Sequence, residues 1–224
     1  LCALPGQDVA SEIRQAHRVI VDVVGSEGAP VGFRTPGYGA GPTVLRVLSE
    51  DGYAYDSSMF PSPPYYLAKL GVMAGMFLRG RRSGAVINDP RSLFCPAEPY
   101  RPDPRRPWRR GQSPLVELPV AALPWSRLPA IGTFIAVSPA RVRRYFLDAM
   151  ATRGFFNFEL HGIDLADAIE DRIPTELAGR QPDLRVPFVD KRKIFLRTLN
   201  ELKQQYEFVT LREAAAVVQR EGTI

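Results

Sequence analysis

The chain has 224 residues, 45% of them hydrophobic, enough for one core and too few to require two domains. No run of about 18 apolar residues occurs, and no charged-then-apolar signal pattern follows Leu1, so neither a transmembrane helix nor a visible leader is expected. The net charge of +5 is concentrated: nine arginines against three acids between Arg79 and Arg110 give that segment +6, leaving −1 for the rest.

Residues Asp8 to Val23 read as an amphipathic helix, with Val9, Ile13, Ala16, Ile20 and Val23 at steps of three and four. His17 falls off that stripe and is read as solvent-facing. After the break from Gly25 to Pro30, a short strand, Val31 to Arg34, ends in the Pro36-Gly37 turn. A helix from about Pro42 to Asp51 has proline in its first turn and Gly52 after its end. Tyr53 to Ser58 alternates as a strand.

From Pro61 to Pro114 the chain is rich in Pro, Gly and Arg. It reads as a long excursion loop of the kind that decorates a functional face, with a short helix around Tyr66 to Arg79. Leu115 to Val120 is the next strand. Ser138-Pro139 then opens a helix, serine as N-cap and proline at the first helical position, which closes at Gly154. Phe155 to Leu160 is strand-like and delivers His161 at its end, with Asn157, Glu159 and His161 on one face.

A last long helix, Lys191 to Tyr206, is expected to bury Phe195, Leu199, Leu202 and Tyr206. The strand Phe208-Val209 follows, then a helix with a capping box of Thr210 and Glu213. Strand–helix alternation of this kind points to α/β, with a parallel sheet or barrel, in a single domain spanning 1–224.

The inventory for chemistry is short. Cys2 and Cys95 are the only cysteines and read as two thiols rather than a disulfide. His17 and His161 are too far apart for a zinc site of the usual short spacing. Two polar residues, Arg34 and His161, stand at the C-terminal ends of expected strands, where strand-to-helix loops gather catalytic groups. A guanidinium at the end of an apolar run needs an anion, and no sequence neighbour of Arg34 supplies one.

The stretches GFRTPGYG, YAYDSSMFP, LVELPV, FELHGIDL and TLNELKQQYEFVTLREAA, in that order between about Asp8 and Ala216, resemble the polysaccharide deacetylases (NodB homology, carbohydrate esterase family 4). The resemblance implies a distorted (β/α)7-type barrel, here incomplete at its N-terminal strands. It also implies metal-dependent hydrolytic N-deacetylation of an amino-sugar polysaccharide or lipid-linked glycan. Family members hold a divalent metal, most often zinc, through an aspartate and two histidines near the N-terminus; a second aspartate there serves as general base.

By the same resemblance, Arg34 pairs with that upstream aspartate and His161 protonates the departing amine. Pro36, Gly37 and Tyr38 form the turn whose backbone amide at Gly37 helps hold the oxyanion. The roles suit the reaction: a metal lowers the pKa of bound water towards about 7. One backbone donor to an oxyanion is worth on the order of 3 kcal/mol, and histidine titrates near neutrality.

The departures are as informative. No TFDD-like segment and no HxxxH occurs, so the metal ligands are absent from this chain, and Gly37 stands where the family has tyrosine, with Tyr38 one step on. The family's supporting aspartate segment is missing; Glu117 is the candidate carboxylate behind His161, and Trp125 the candidate lining of a sugar groove. The chain therefore reads as the C-terminal part of a deacetylase, inactive alone, weak in binding metal, and prone to aggregate at an unpaired sheet edge.

Other readings stay open: an amide or cyclic-imide hydrolase of a small non-sugar substrate, or a non-catalytic glycan-binding module. The arginine-rich segment, with Tyr100 and Trp108, suits an anionic glycan or an anionic membrane surface; nucleic acid is the less favoured partner.

Overall fold

Helix α1, Gly6–Val24, carries Asp8 in its first turn, where the positive end of the helix dipole favours a carboxylate, and gives way to Gly25 at φ 78°. The computed structural model describes residues 5–80, 89–179 and 181–221; Cys2, Arg81 and Arg82 lie outside them. The apolar stripe of α1 packs only in part. Val9 and Ile13 are buried, whereas Ile20 is 45% and Val23 81% exposed. Length explains it: the partner helix α2, Pro42–Glu50, has nine residues against nineteen, so α1 overhangs it. His17 is half-buried rather than solvent-facing, its Nδ1 2.9 Å from the Tyr53 hydroxyl.

Within the single domain expected from length, contacts group the chain into two units, Leu1–Val120 with Val209–Ile224, and Ala121–Phe208. In the first, β1 (Gly32–Phe33) pairs in parallel with β2 (Tyr55–Asp56). After α3 (Pro63–Leu78) and a hairpin of β3 (Pro102–Asp103) and β4 (Arg106–Arg110) comes β5 (Val116–Glu117), parallel to β2 on its other side. Backbone bonds extend the ladder past these short strands: Ala54 N–H donates to Val31 O at 2.7 Å and Leu118 N–H to Asp56 O at 2.9 Å. Tyr100 exchanges two backbone bonds with Glu117, an antiparallel neighbour for β5.

Val9 and Ile13 pack with Val44, Leu45, Val47, Leu48, Tyr53 and Leu115 as the core of this unit. Gly32 is required where it stands: a Cβ there would lie 1.9 Å from the Tyr55 ring that covers it. Helix α8, Leu211–Glu221, closes the unit, and its capping box forms as expected, Thr210 N–H donating to Glu213 Oε2 at 2.7 Å and Glu213 N–H to Thr210 Oγ at 3.2 Å.

The excursion from 61 to 114 is more ordered than its composition suggests. It holds the sixteen-residue α3, a 3-10 turn at Pro90–Phe94 and the β3–β4 hairpin. Two of its described arginines find acidic partners nearby: Arg91 pairs with Asp89 at 2.6 Å and lies 4.2 Å over the Trp108 ring, and Arg106 is 3.5 Å from Asp103.

The second unit contains α4 (Gly132–Val137), α5 (Ala140–Met150), α6 (Thr175–Ala178) and α7 (Phe188–Lys203). Its core joins Leu123, Ile135, Phe146, Met150 and Phe195. Ser138 does not cap α5. Its hydroxyl donates to Phe134 O at 2.6 Å, tying down the end of α4, a helix the sequence did not announce. Phe155 to Leu160 is no strand either: it is an irregular segment bridged once, Glu159 opposite Ile131.

Helix α7 starts at Phe188, earlier than expected, because Asp167 Oδ2 accepts the Phe188 N–H at 2.7 Å and buried Lys191 donates to Ala166 O at 2.7 Å. Phe195 and Leu202 are buried on it as expected, but Leu199 and Tyr206 only partly, and Phe208-Val209 is not a strand. The described chain thus mixes helices with a three-stranded parallel sheet and a two-stranded antiparallel one, and no closed barrel is identified among the described residues.

Candidate functional site

Because β1, β2 and β5 run parallel in register, Arg34, Ser57 and Leu118 all emerge at one end of the sheet, the end where α/β folds place their sites. Arg34 is half-buried. Its Nε donates to Ser57 O at 2.8 Å and its Nη2 to Ser57 Oγ at 2.7 Å; Ser57 Oγ in turn donates to Leu118 O at 2.7 Å. One guanidinium thereby clamps the ends of β1 and β2, and through Ser57 that of β5.

The next residues turn sharply. Thr35 N–H donates to Ser58 Oγ at 2.9 Å, and Pro36–Tyr38 form a 3-10 turn in which Gly37 has φ 73° and Tyr38 φ 64°. Gly37 is exposed, and a side chain there would meet nothing within 4 Å, so its backbone can be approached closely. Tyr38 is buried instead, its ring 4.9 Å from that of Phe60 and 5.7 Å from that of Tyr65. A non-glycine residue at positive φ is held by such surroundings.

Beneath this turn lies a pair that sequence spacing could not announce. Asp56 and Glu117 are register neighbours on β2 and β5, both buried. Burial lifts the Asp56 carboxyl to about 6; burial, with the Asp56 charge beside it, lifts that of Glu117 well above the usual range. Two like charges side by side in an interior are not sustained, so burial and mutual repulsion favour a protonated carboxyl in this pair. Glu117 Oε1 accepts the Met59 N–H at 2.9 Å, and Asp56 Oδ1 accepts the Ser58 hydroxyl at 2.6 Å. The positive charge of Arg34 opposes these upward shifts in both carboxyls, so acidic groups of this chain lie within electrostatic reach of the guanidinium that the sequence left unpartnered.

In the second unit, His161 precedes a 3-10 turn, Gly162–Leu165, which Asp164 anchors. The His161 N–H donates to Asp164 Oδ2 at 2.8 Å, and Thr133 donates to Asp164 Oδ1 at 2.7 Å. The imidazole is 56% exposed, with Nε2 3.7 Å from Glu159 and Nδ1 3.9 Å from Asp164, two carboxylates whose side chains are 3% and 1% exposed. The carboxylates against His161 are therefore these two, and Glu117 is committed to Asp56 and Met59. The signal was present in the sequence as Glu-x-His-x-x-Asp; only the turn at Gly162 explains why both acids fold back on one ring.

Trp125 is 98% exposed at φ 62°, at the tip of a tight loop closed by Leu123 N–H donating to Leu128 O at 2.8 Å. The donor set for a metal is poor. No three His, Cys, Asp or Glu side chains converge among the described residues, and Asp164 already has both oxygens engaged. The described residues do not by themselves make up the donor set of a zinc centre. No protein-family model, curated protein or solved structure matches this chain.

Proposed function

We propose that this chain contributes to hydrolytic N-deacetylation of an amino-sugar polymer or lipid-linked glycan, as its resemblance to polysaccharide deacetylases implies. The observation that carries the reading is the His161 arrangement: an exposed imidazole with a buried carboxylate near each ring nitrogen. Such a ring can give its proton to a departing amine while an acidic neighbour holds its orientation. The Arg34-Thr35-Pro36-Gly37 turn, at the C-terminal end of three parallel strands, sets the side-chain-free Gly37 at an exposed position, where the resemblance assigns the oxyanion contact. Trp125 offers an aromatic face of the kind that stacks on sugar rings. Described residues provide no ligand set for the divalent metal that this family uses, so the chain's own tasks are proton donation, oxyanion contact and substrate binding.

The test is acetate release from N-acetylglucosamine oligomers by the natural protein and its His161→Ala and Arg34→Ala variants. Turnover lost in His161→Ala at unchanged stability, and lost in Arg34→Ala together with stability, supports the assignment. Unchanged turnover in His161→Ala, or turnover of a cyclic imide with none of the oligomer, would overturn it.

A further inference from the structure

We propose that the groove between α5 and α7 is a binding site for a phosphate-bearing ligand, contacted chiefly by Arg141 and Arg144. The groove encloses about 370 Å³ and is lined by Arg141, Arg143 and Arg144 from α5 and by Lys193, Arg197 and Glu201 from α7. Its volume lies within the ~300–1,000 Å³ of small-molecule sites. Spacing creates the cluster: Arg141 and Arg144 are three apart on α5, and Lys193 and Arg197 four apart on α7, so each pair shares a helix face.

Following each cation to its partner separates them into two groups. Arg197 is occupied by Glu201 at 2.8 Å, Lys193 lies 3.7 Å from Asp190, and Arg143 donates to the Ser138 carbonyl at the end of α4. Arg141 and Arg144 have no ion pair or hydrogen bond among the described residues, and both are exposed. Five cations against one lining carboxylate repel one another; an anion of more than one charge relieves that repulsion.

The chemistry of the cations selects the ligand. Guanidinium forks bind phosphate oxygens in pairs, and a tetrahedral phosphate accepts from several directions, whereas a single carboxylate is satisfied by one fork. The groove floor includes buried Leu147 and Thr198, which keep water from screening one side. Nothing in this site draws on His161 or Arg34, so it stands or falls apart from the hydrolase reading.

Inorganic pyrophosphate is the probe, titrated calorimetrically into the protein at low salt. Saturable binding is expected, weakened at least about 10-fold by Arg141→Gln with Arg144→Gln and unchanged by Arg192→Gln, an exposed cation of α7 outside the groove. The exchanged residues are on the surface, and matching circular dichroism melts show that the variants fold.

Vesicles of phosphatidylglycerol in phosphatidylcholine identify the source. Vesicle binding displaced by pyrophosphate assigns the site to a lipid headgroup; pyrophosphate binding without vesicle binding assigns it to a soluble ligand. Absence of pyrophosphate binding, equal affinity in the double variant, or vesicle adhesion that pyrophosphate does not displace would each overturn the proposal.

Discussion

The Arg34 turn and the His161 turn are built on opposite plans. Around Arg34 two carboxyls and two serine hydroxyls lie inside and the guanidinium is half-buried, while Gly37, which has no side chain, is exposed. Around His161 the carboxylates are inside and the titratable ring is outside. The first plan fixes a backbone shape and the second offers a proton. Substitutions in the two places should therefore fail differently, one through stability and the other through rate.

The largest separation is expected from His161→Ala, which on the proposed reading should lower acetate release by about 10²- to 10⁴-fold without moving the unfolding midpoint. Arg34→Ala should lower stability as well as turnover, losing about 2 kcal/mol in a denaturant titration because its hydrogen bonds to Ser57 O and Oγ are gone. Equal effects of both changes on both readouts would erase the contrast.

The pH dependence sharpens it. Asp56 and Glu117 bind a proton more tightly folded than unfolded, so their contribution to stability is complete below about pH 4, the unfolded value. It falls as pH rises through about 6 for Asp56 and higher for Glu117. Asp56 alone accounts for on the order of 3 kcal/mol across that range. Urea unfolding between pH 5 and 8 should show this decline, and Glu117→Gln, which keeps a donor beside Asp56, should flatten it. Asp89, Asp103, Asp167 and Glu213, held below their usual values by hydrogen bonds, lose their contribution only at lower pH and stay outside that window.

Smaller effects follow at the edges. Asp164→Asn, which removes one of the two carboxylates beside the His161 ring, should cost about tenfold in acetate release. Trp125→Ala should raise KM several-fold and leave kcat in place, since base–aromatic and sugar–aromatic contacts of this size are worth on the order of 1 kcal/mol.

Local signals were legible in the sequence and long-range ones were not. The Thr210–Glu213 cap is four residues of information and formed as read. Ser138 carried an equally good signal, yet a hydroxyl can serve the helix behind it as well as the one ahead, and the short α4 claimed it. The alternation in Phe155 to Leu160 described an extended segment correctly but could not reveal that it is bridged to a neighbour only once. Asp56 and Glu117 stand 61 residues apart, so their meeting depended on the register of β2 and β5. Arg34 and His161 were chosen from their residue types and strand-end positions; the acids that surround them emerged only with the fold.

The overhang of α1 has a consequence for how the molecule fails. Val19-Ile20-Val21-Asp22-Val23-Val24 is dominated by β-branched residues, poor helix formers, and four of the six are large apolar side chains left half or more in water or close to it. Once those turns fray, the segment has the composition of a strand seeking partners, and copies of it can stack edge to edge. Clumping on heating would then begin at the end of the first helix, and a lysine at Val23 would delay it.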